Sequence, residues 1–114
     1  MRKVTSLIKS AFEAGMEKRV SNTECLALND RLEIRLHNNL IIERDPAGTR
    51  WTMAGWATRT TADRLNGILN VGLYCKRGQY YIGNDPVQPD AVFKLDSAGQ
   101  SRLADAMGRT NHAE

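Results

Sequence analysis

From Arg31 to His37 the chain alternates without a fault, with Leu32, Ile34 and Leu36 on one side and Arg31, Glu33, Arg35 and His37 on the other. Successive side chains of a strand point to opposite faces, so this pattern dictates a strand with one dry face and one wet face. Sheets with a solvated face are characteristically antiparallel. Asn38-Asn39 follows, tolerates left-handed backbone and predicts a tight hairpin turn, with Leu40 to Arg44 returning as the second strand. A two-residue turn sets Leu36 opposite Ile41 and a three-residue turn sets it opposite Leu40. Leu40, Ile41 and Ile42 are all apolar, so the pattern does not choose between the registers.

The other elements follow by the same reasoning. Val4, Ile8, Ala11 and Phe12 form one helical stripe, and Gly15 stands where a helix ends in left-handed backbone, which predicts a helix from Val4 to Ala14. Met16 to Asp30 lacks a period and reads as a long connection. Asp45-Pro46-Ala47-Gly48 is a turn before a third strand, Arg50 to Trp56. Thr60, with Asp63 three positions later, reads as the N-cap of a helix carrying Leu65, Ile68 and Leu69 and ending near Asn70. Arg77-Gly78 between Leu73–Lys76 and Gln79–Ile82 is a hairpin that pairs Tyr74 with Tyr81 and Cys75 with Tyr80. Pro86 and Pro89 make the next segment a loop, Ala91 to Leu95 is a short strand, and Ser97 with Gln100 opens a last helix reaching about Met107. The expected order is α-β-β-β-α-β-β-β-α. The expected class is α+β, an antiparallel sheet of five to six strands with helices on one face. Residues 1–109 form one domain and residues 110–114 a polar tail.

Composition enters where it excludes. With 41% hydrophobic and 25% charged residues in 114, the chain has the makings of one globular core. Apolar runs such as Leu40-Ile41-Ile42 are far short of the ~20 residues of a membrane span. The three cations of Met1 to Ser10 lead into no apolar core of a signal peptide. Cys25 and Cys75 lie fifty positions apart without a Cys-x-x-Cys pattern and read as two buried free thiols rather than a disulfide, which fits a reducing cytosol. Phosphate-binding loops, nucleophile elbows and zinc-protease motifs are missing. His37 and His112 are too few for a metal cluster. The expectation is a protein that is not an enzyme and carries no metal or cofactor.

Charge has a location as well as a size. The net charge is +3, but Arg50 to Tyr81 holds five cations against the single anion Asp63, together with five of the seven aromatic residues. Trp51 and Trp56 are five apart, so one belongs in the core and the other at the surface. The candidate partner-binding residues are Trp56, Arg59, Arg64, Tyr74, Lys76, Arg77 and Tyr81.

Several stretches resemble a widespread group of small proteins encoded in tailed-bacteriophage genomes. The resemblance rests on Ala11-Phe12-Glu13-Ala14-Gly15, Asn22-Thr23, Leu36-His37-Asn38-Asn39-Leu40-Ile41, Met53-Ala54-Gly55-Trp56 and Thr60-Thr61-Ala62-Asp63-Arg64-Leu65-Asn66-Gly67-Ile68-Leu69. It spans roughly residues 4 to 82 and departs from the group at Asn38, where glycine is usual, and at Met53. It implies a phage origin and a site of action in the cytoplasm of the infected host, and it supplies no activity. Two functional classes remain. The first is a non-enzymatic protein that binds a host protein or defence complex. The alternative is nucleic-acid binding by the basic-aromatic segment 50–81, with cations on phosphates and rings on bases. The sequence does not specify an oligomeric state. If the second helix is core, Leu65→Ala and Ile68→Ala each destabilise the fold by about 2–4 kcal/mol, read as a fall in denaturant midpoint at constant slope.

Overall fold

The polar-apolar alternation of the strands produces a sheet whose two faces have opposite characters. The computed structural model describes residues 2–107. Helix α1 (Lys3–Ala14) leads into strands β1 (Lys18–Val20), β2 (Thr23–Ala27), β3 (Leu32–Leu36), β4 (Asn39–Asp45) and β5 (Gly48–Thr52). Helix α2 (Arg59–Leu69) follows, then β6 (Tyr74–Lys76), β7 (Gln79–Ile82), β8 (Asp85–Pro86), β9 (Val92–Leu95) and β10 (Ser101–Ala104). The order β1-β2-β3-β4-β5-β9-β10 makes a seven-stranded antiparallel sheet, while β6-β7-β8 form a separate small one. The class is α+β, as expected, with more strands than the sequence indicated.

The dry face of the large sheet carries Cys25, Ile34, Leu36, Ile42, Trp51 and Phe93. Both helices contribute to the same core, α1 through Ile8, Ala11 and Phe12, and α2 through Ala62, Leu65 and Ile68. Trp51 stacks on Phe93 with ring centroids 4.5 Å apart, and its indole N–H donates to Ser101 Oγ at 2.9 Å. The C-terminal end of α1 is held by Arg44, whose guanidinium donates to the Phe12 carbonyl at 2.8 Å and lies 4.2 Å from the Phe12 ring. Gly15, at φ 71, ends that helix as expected.

Five sequence expectations are corrected, the last two being a register and a helix cap. The stretch Met16 to Asp30 is mostly a hairpin, in which Val20 pairs with Thr23 around a Ser21-Asn22 turn, with Ser21 at φ 57. Only Thr23 and Cys25 are fully buried there, too short a run for a period to emerge. The last helix is a strand: Asp96 Oδ1 accepts from the backbone N–H groups of Ala98 and Gln100, both at 2.9 Å, and Gly99 at φ 81 completes the reversal. An aspartate that closes its own turn outcompetes the Ser97/Gln100 cap. The hairpin 73–82 does not join the large sheet. The expected tail, 110–114, lies outside the described residues.

The fourth correction concerns register. The turn is His37-Asn38, at φ 51 and 67, so Leu36 pairs with Asn39 and neither expected register occurs. Left-handed backbone at both central residues is the two-residue turn that matches strand twist. Arg35 then pairs with Leu40 but Ile34 with Ile42, which leaves Ile41 as the extra residue of a bulge. The bulge gives three consecutive apolar residues buried sites: Ile41 and Ile42 join the core, and Leu40 is buried outside it.

The cap of α2 also differs. Thr58, not Thr60, is the N-cap, accepting from the Thr61 N–H at 3.2 Å. Asp63 instead accepts from Thr5 Oγ1 at 2.5 Å and from Arg64 at 2.8 Å. Arg64 is 3% exposed. Its guanidinium donates to Thr23 Oγ1 and Thr5 Oγ1, both at 2.9 Å, and to Asn22 at 3.3 Å. Burial lowers its pKa and the Asp63 carboxylate opposes that. An arginine stays charged under such a shift, so the cation is held by its partners. Replacing Arg64 with leucine removes the donor shared by Thr5, Thr23 and Asp63, leaving the Thr5–Asp63 and Thr23–Asn22 bonds without the cation that joins them. A loss of about 3 kcal/mol follows, measured by chemical denaturation beside Leu65→Ala.

Candidate binding surface

The cations of the 50–81 segment divide once the chain is folded. Arg50 is buried and donates to Glu43 at 3.0 Å and to Asp45 at 2.7 Å. Arg64 is the buried hub described above. Both belong to the scaffold, so Arg64, expected at a binding face, is not available there. Arg59, Lys76 and Arg77 are exposed, and no ion pair of theirs occurs among the described residues. Lys76 and Arg77 are adjacent at the hairpin tip and Arg59 opens α2, a modest supply of solvated positive charge.

The β6–β7 hairpin has the register expected of Arg77-Gly78, both in left-handed backbone: Tyr74 pairs with Tyr81, Cys75 with Tyr80 and Lys76 with Gln79. Tyr80 and the preceding Leu73 are buried on the core side. Tyr74 and Tyr81 share the other face and stack, with centroids 5.6 Å apart and planes 22° apart. The Tyr74 hydroxyl donates to the Gly83 carbonyl, which fixes that ring further. Gln79 ties the hairpin to the following segment, donating to the carbonyls of Tyr80 at 2.9 Å and Val87 at 3.0 Å. The anchoring is therefore directed at backbone carbonyls, with Tyr74 exposed and Tyr81 half-buried on the other face. Burial pushes the Tyr80 hydroxyl pKa up, the Cys75 thiol adds to this, and Arg59 opposes it. Arg59 thus acts on the side of the hairpin away from the tyrosine stack.

Trp56 stands apart from the hairpin. Strand β5 ends at Thr52, and Ala54 and Gly55 take φ 55 and 84, turning the chain so that Trp51 is fully buried while Trp56 is 59% exposed. The turn is pinned by Trp56 N–H to the Met53 carbonyl at 2.8 Å, Gly55 N–H to the Pro89 carbonyl at 2.9 Å, and Ala54 N–H to Thr52 Oγ1 at 3.1 Å. Beside it lies a groove of about 410 Å³ floored by Leu36, Ile41 and Met53 and rimmed by Trp56, Asn39 and Thr60. The sequence marked Trp56 as a surface ring but not the groove, because two of its floor residues, Leu36 and Ile41, lie 20 and 15 positions upstream on other strands.

On the wet face of the sheet, Glu33 and Glu43 sit opposite each other and are almost completely buried. Arg31 donates to Glu33 at 2.7 Å, Arg35 to Glu33 at 3.0 Å, and Arg50 to Glu43. Anions that weigh against nucleic-acid binding in the linear sequence are thus neutralised within the fold.

The family described as Kyanoviridae Gp96 protein matches residues 1–97, a stretch that takes in every element from α1 to β9. No curated protein and no solved structure matches the chain. No helix among the described residues is long and apolar enough to cross a membrane.

Both cysteines are free, Cys25 buried and Cys75 exposed, where the sequence reading buried both. Burial pushes the Cys25 thiol up, with Arg44 opposing, so this thiol is both shielded and protonated. Iodoacetamide applied to the folded protein alkylates Cys75 alone, and Cys25 reacts only in denaturant; peptide mass spectrometry reads the two sites separately.

Proposed function

The chain belongs to the Kyanoviridae Gp96 protein family, a family of phage proteins, and on that premise we propose that it is a small non-enzymatic binding protein acting on a host protein or defence complex in the cytoplasm of the infected cell. The observation that carries this reading is the stack of exposed Tyr74 on half-buried Tyr81 beside Lys76 and Arg77. Tyrosine supplies a large, amphipathic contact area with few rotors to immobilise, and aromatic and arginine side chains dominate the energetic centres of protein interfaces. Here the rings are immobilised before any partner arrives, because they pack on each other and the Tyr74 hydroxyl is already bonded to Gly83. Preorganisation removes part of the entropy that association would otherwise lose.

Nucleic-acid binding is the second reading, favoured by Lys76, Arg77 and Arg59 having no ion-pair partner among the described residues. Two features weigh against it. Rings stacked face to face present only their outer faces to bases, and three cations neutralise few phosphates.

Tagged wild-type protein and the Tyr74→Ala/Tyr81→Ala double variant, passed through host lysate with and without nuclease, separate these readings. The expected result is nuclease-resistant recovery of one host complex by the wild type and its loss, about tenfold or more, with the double variant. The variant stays folded, with the stacking contribution of about 1 kcal/mol removed. Recovery that vanishes with nuclease, or falls steeply between about 50 and 200 mM salt, selects nucleic acid instead.

A further inference from the structure

Resting on the protein-binding reading, we infer that the Trp56 groove is the pocket that receives an uncharged aromatic side chain from the partner protein. The floor, Leu36, Ile41 and Met53, is buried and apolar, so a guest ring meets hydrocarbon there. The lining includes no aspartate, glutamate, lysine or arginine. A charged guest would therefore lose its hydration without a countercharge, which an uncharged ring does not. The polar groups of the lining are the His37 imidazole, the Asn39 amide and the hydroxyls of Thr58, Thr60 and Thr61. Such groups can bond the backbone that carries an inserted side chain while the ring lies below them.

Size and rigidity point the same way. A volume of about 410 Å³ lies within the range of small-ligand pockets, room for a side chain and its flanking peptide groups rather than a folded element. The Trp56 wall is preset by the three backbone bonds that pin the 53–56 turn. Ala54 holds a left-handed conformation that a residue with a Cβ seldom adopts, at φ 55. That conformation is what aims Trp56 outward instead of along the strand beside Trp51. An exposed indole on a rigid turn, next to an apolar floor, is the arrangement of an aromatic anchor site.

The test uses three soluble probes on the whole chain: N-acetylphenylalaninamide, N-acetyllysinamide and adenosine. The readout is amide shift perturbation at Thr58, Thr60 and Thr61. The expected result is saturable perturbation by the phenylalanine probe in the millimolar range, at least about tenfold weaker response to the lysine probe, and no matching response to adenosine. Thr60→Arg places a charge over the groove and abolishes the effect; Trp56→Ala, which alters only an exposed ring, weakens it if the first variant fails to fold. Equal response to the lysine probe, a stronger response to adenosine, no response at all, or full retention in both variants would overturn the inference. If the probes occupy the groove but no host complex is recovered, the functional reading fails and the pocket stands. If both variants recover the complex as well as the wild type does, the functional reading stands and the pocket assignment fails.

Discussion

One guanidinium joins elements that lie 41 and 59 positions from it in sequence. Arg64 rises from α2, and its bonds reach Thr5 on α1 and Thr23 and Asn22 at the start of β2. Hydrophobic contact is non-directional and by itself lets helices slide on a sheet; Arg44 fixes the end of α1 at the Phe12 carbonyl, and Arg64 fixes both helices together. With it, three elements must meet within hydrogen-bond distance of a single planar group. Asp63, the adjacent carboxylate on α2, completes the set by accepting from both Thr5 and Arg64. The desolvation of a buried cation makes this a poor source of raw stability and a strong source of geometric uniqueness, since any other arrangement leaves the charge unmatched.

The large sheet relies on a second use of buried charge, on its opposite face. Glu33 and Glu43 are cross-strand neighbours, and like charges placed so repel unless neutralised. Arg31 just before β3, Arg35 within it and Arg50 on β5 supply that neutralisation. The result is a face that reads as highly charged in sequence and is largely satisfied within itself. What remains for recognition is concentrated elsewhere, on the detached hairpin and the Trp56 turn.

Legibility in the sequence follows how local each determinant is. The β6–β7 hairpin was readable because Arg77-Gly78 fixes the pairing of residues within eight positions of one another. The α1 terminus at Gly15 and the split between Trp51 and Trp56 were readable for the same reason. The first hairpin was not, since its short strands bury only Thr23 and Cys25 completely. The last strand was misread as a helix because Ser97 and Gln100 imitate a cap, whereas Asp96 and Gly99 control the backbone. Arg64 reads as a surface cation because the threonines it joins lie 41 and 59 positions away. No local pattern distinguishes such an arginine from Arg59, five residues earlier.

The insertion of α2 and the small sheet between β5 and β9 carries a consequence for the order of assembly. Strands β1 to β5 follow one another through short turns and can zip up by successive local closures. Thr52 pairs with Val92, and those positions are 40 apart, so joining β9 to β5 closes a far longer loop. Loop-closure entropy rises with length, and contacts of this range form slowly. The meander therefore precedes the completed sheet. Until β9 docks, Trp51 lacks Phe93 beneath its ring and Ser101 at its indole nitrogen, so the most deeply buried aromatic residue is also among the last to be enclosed.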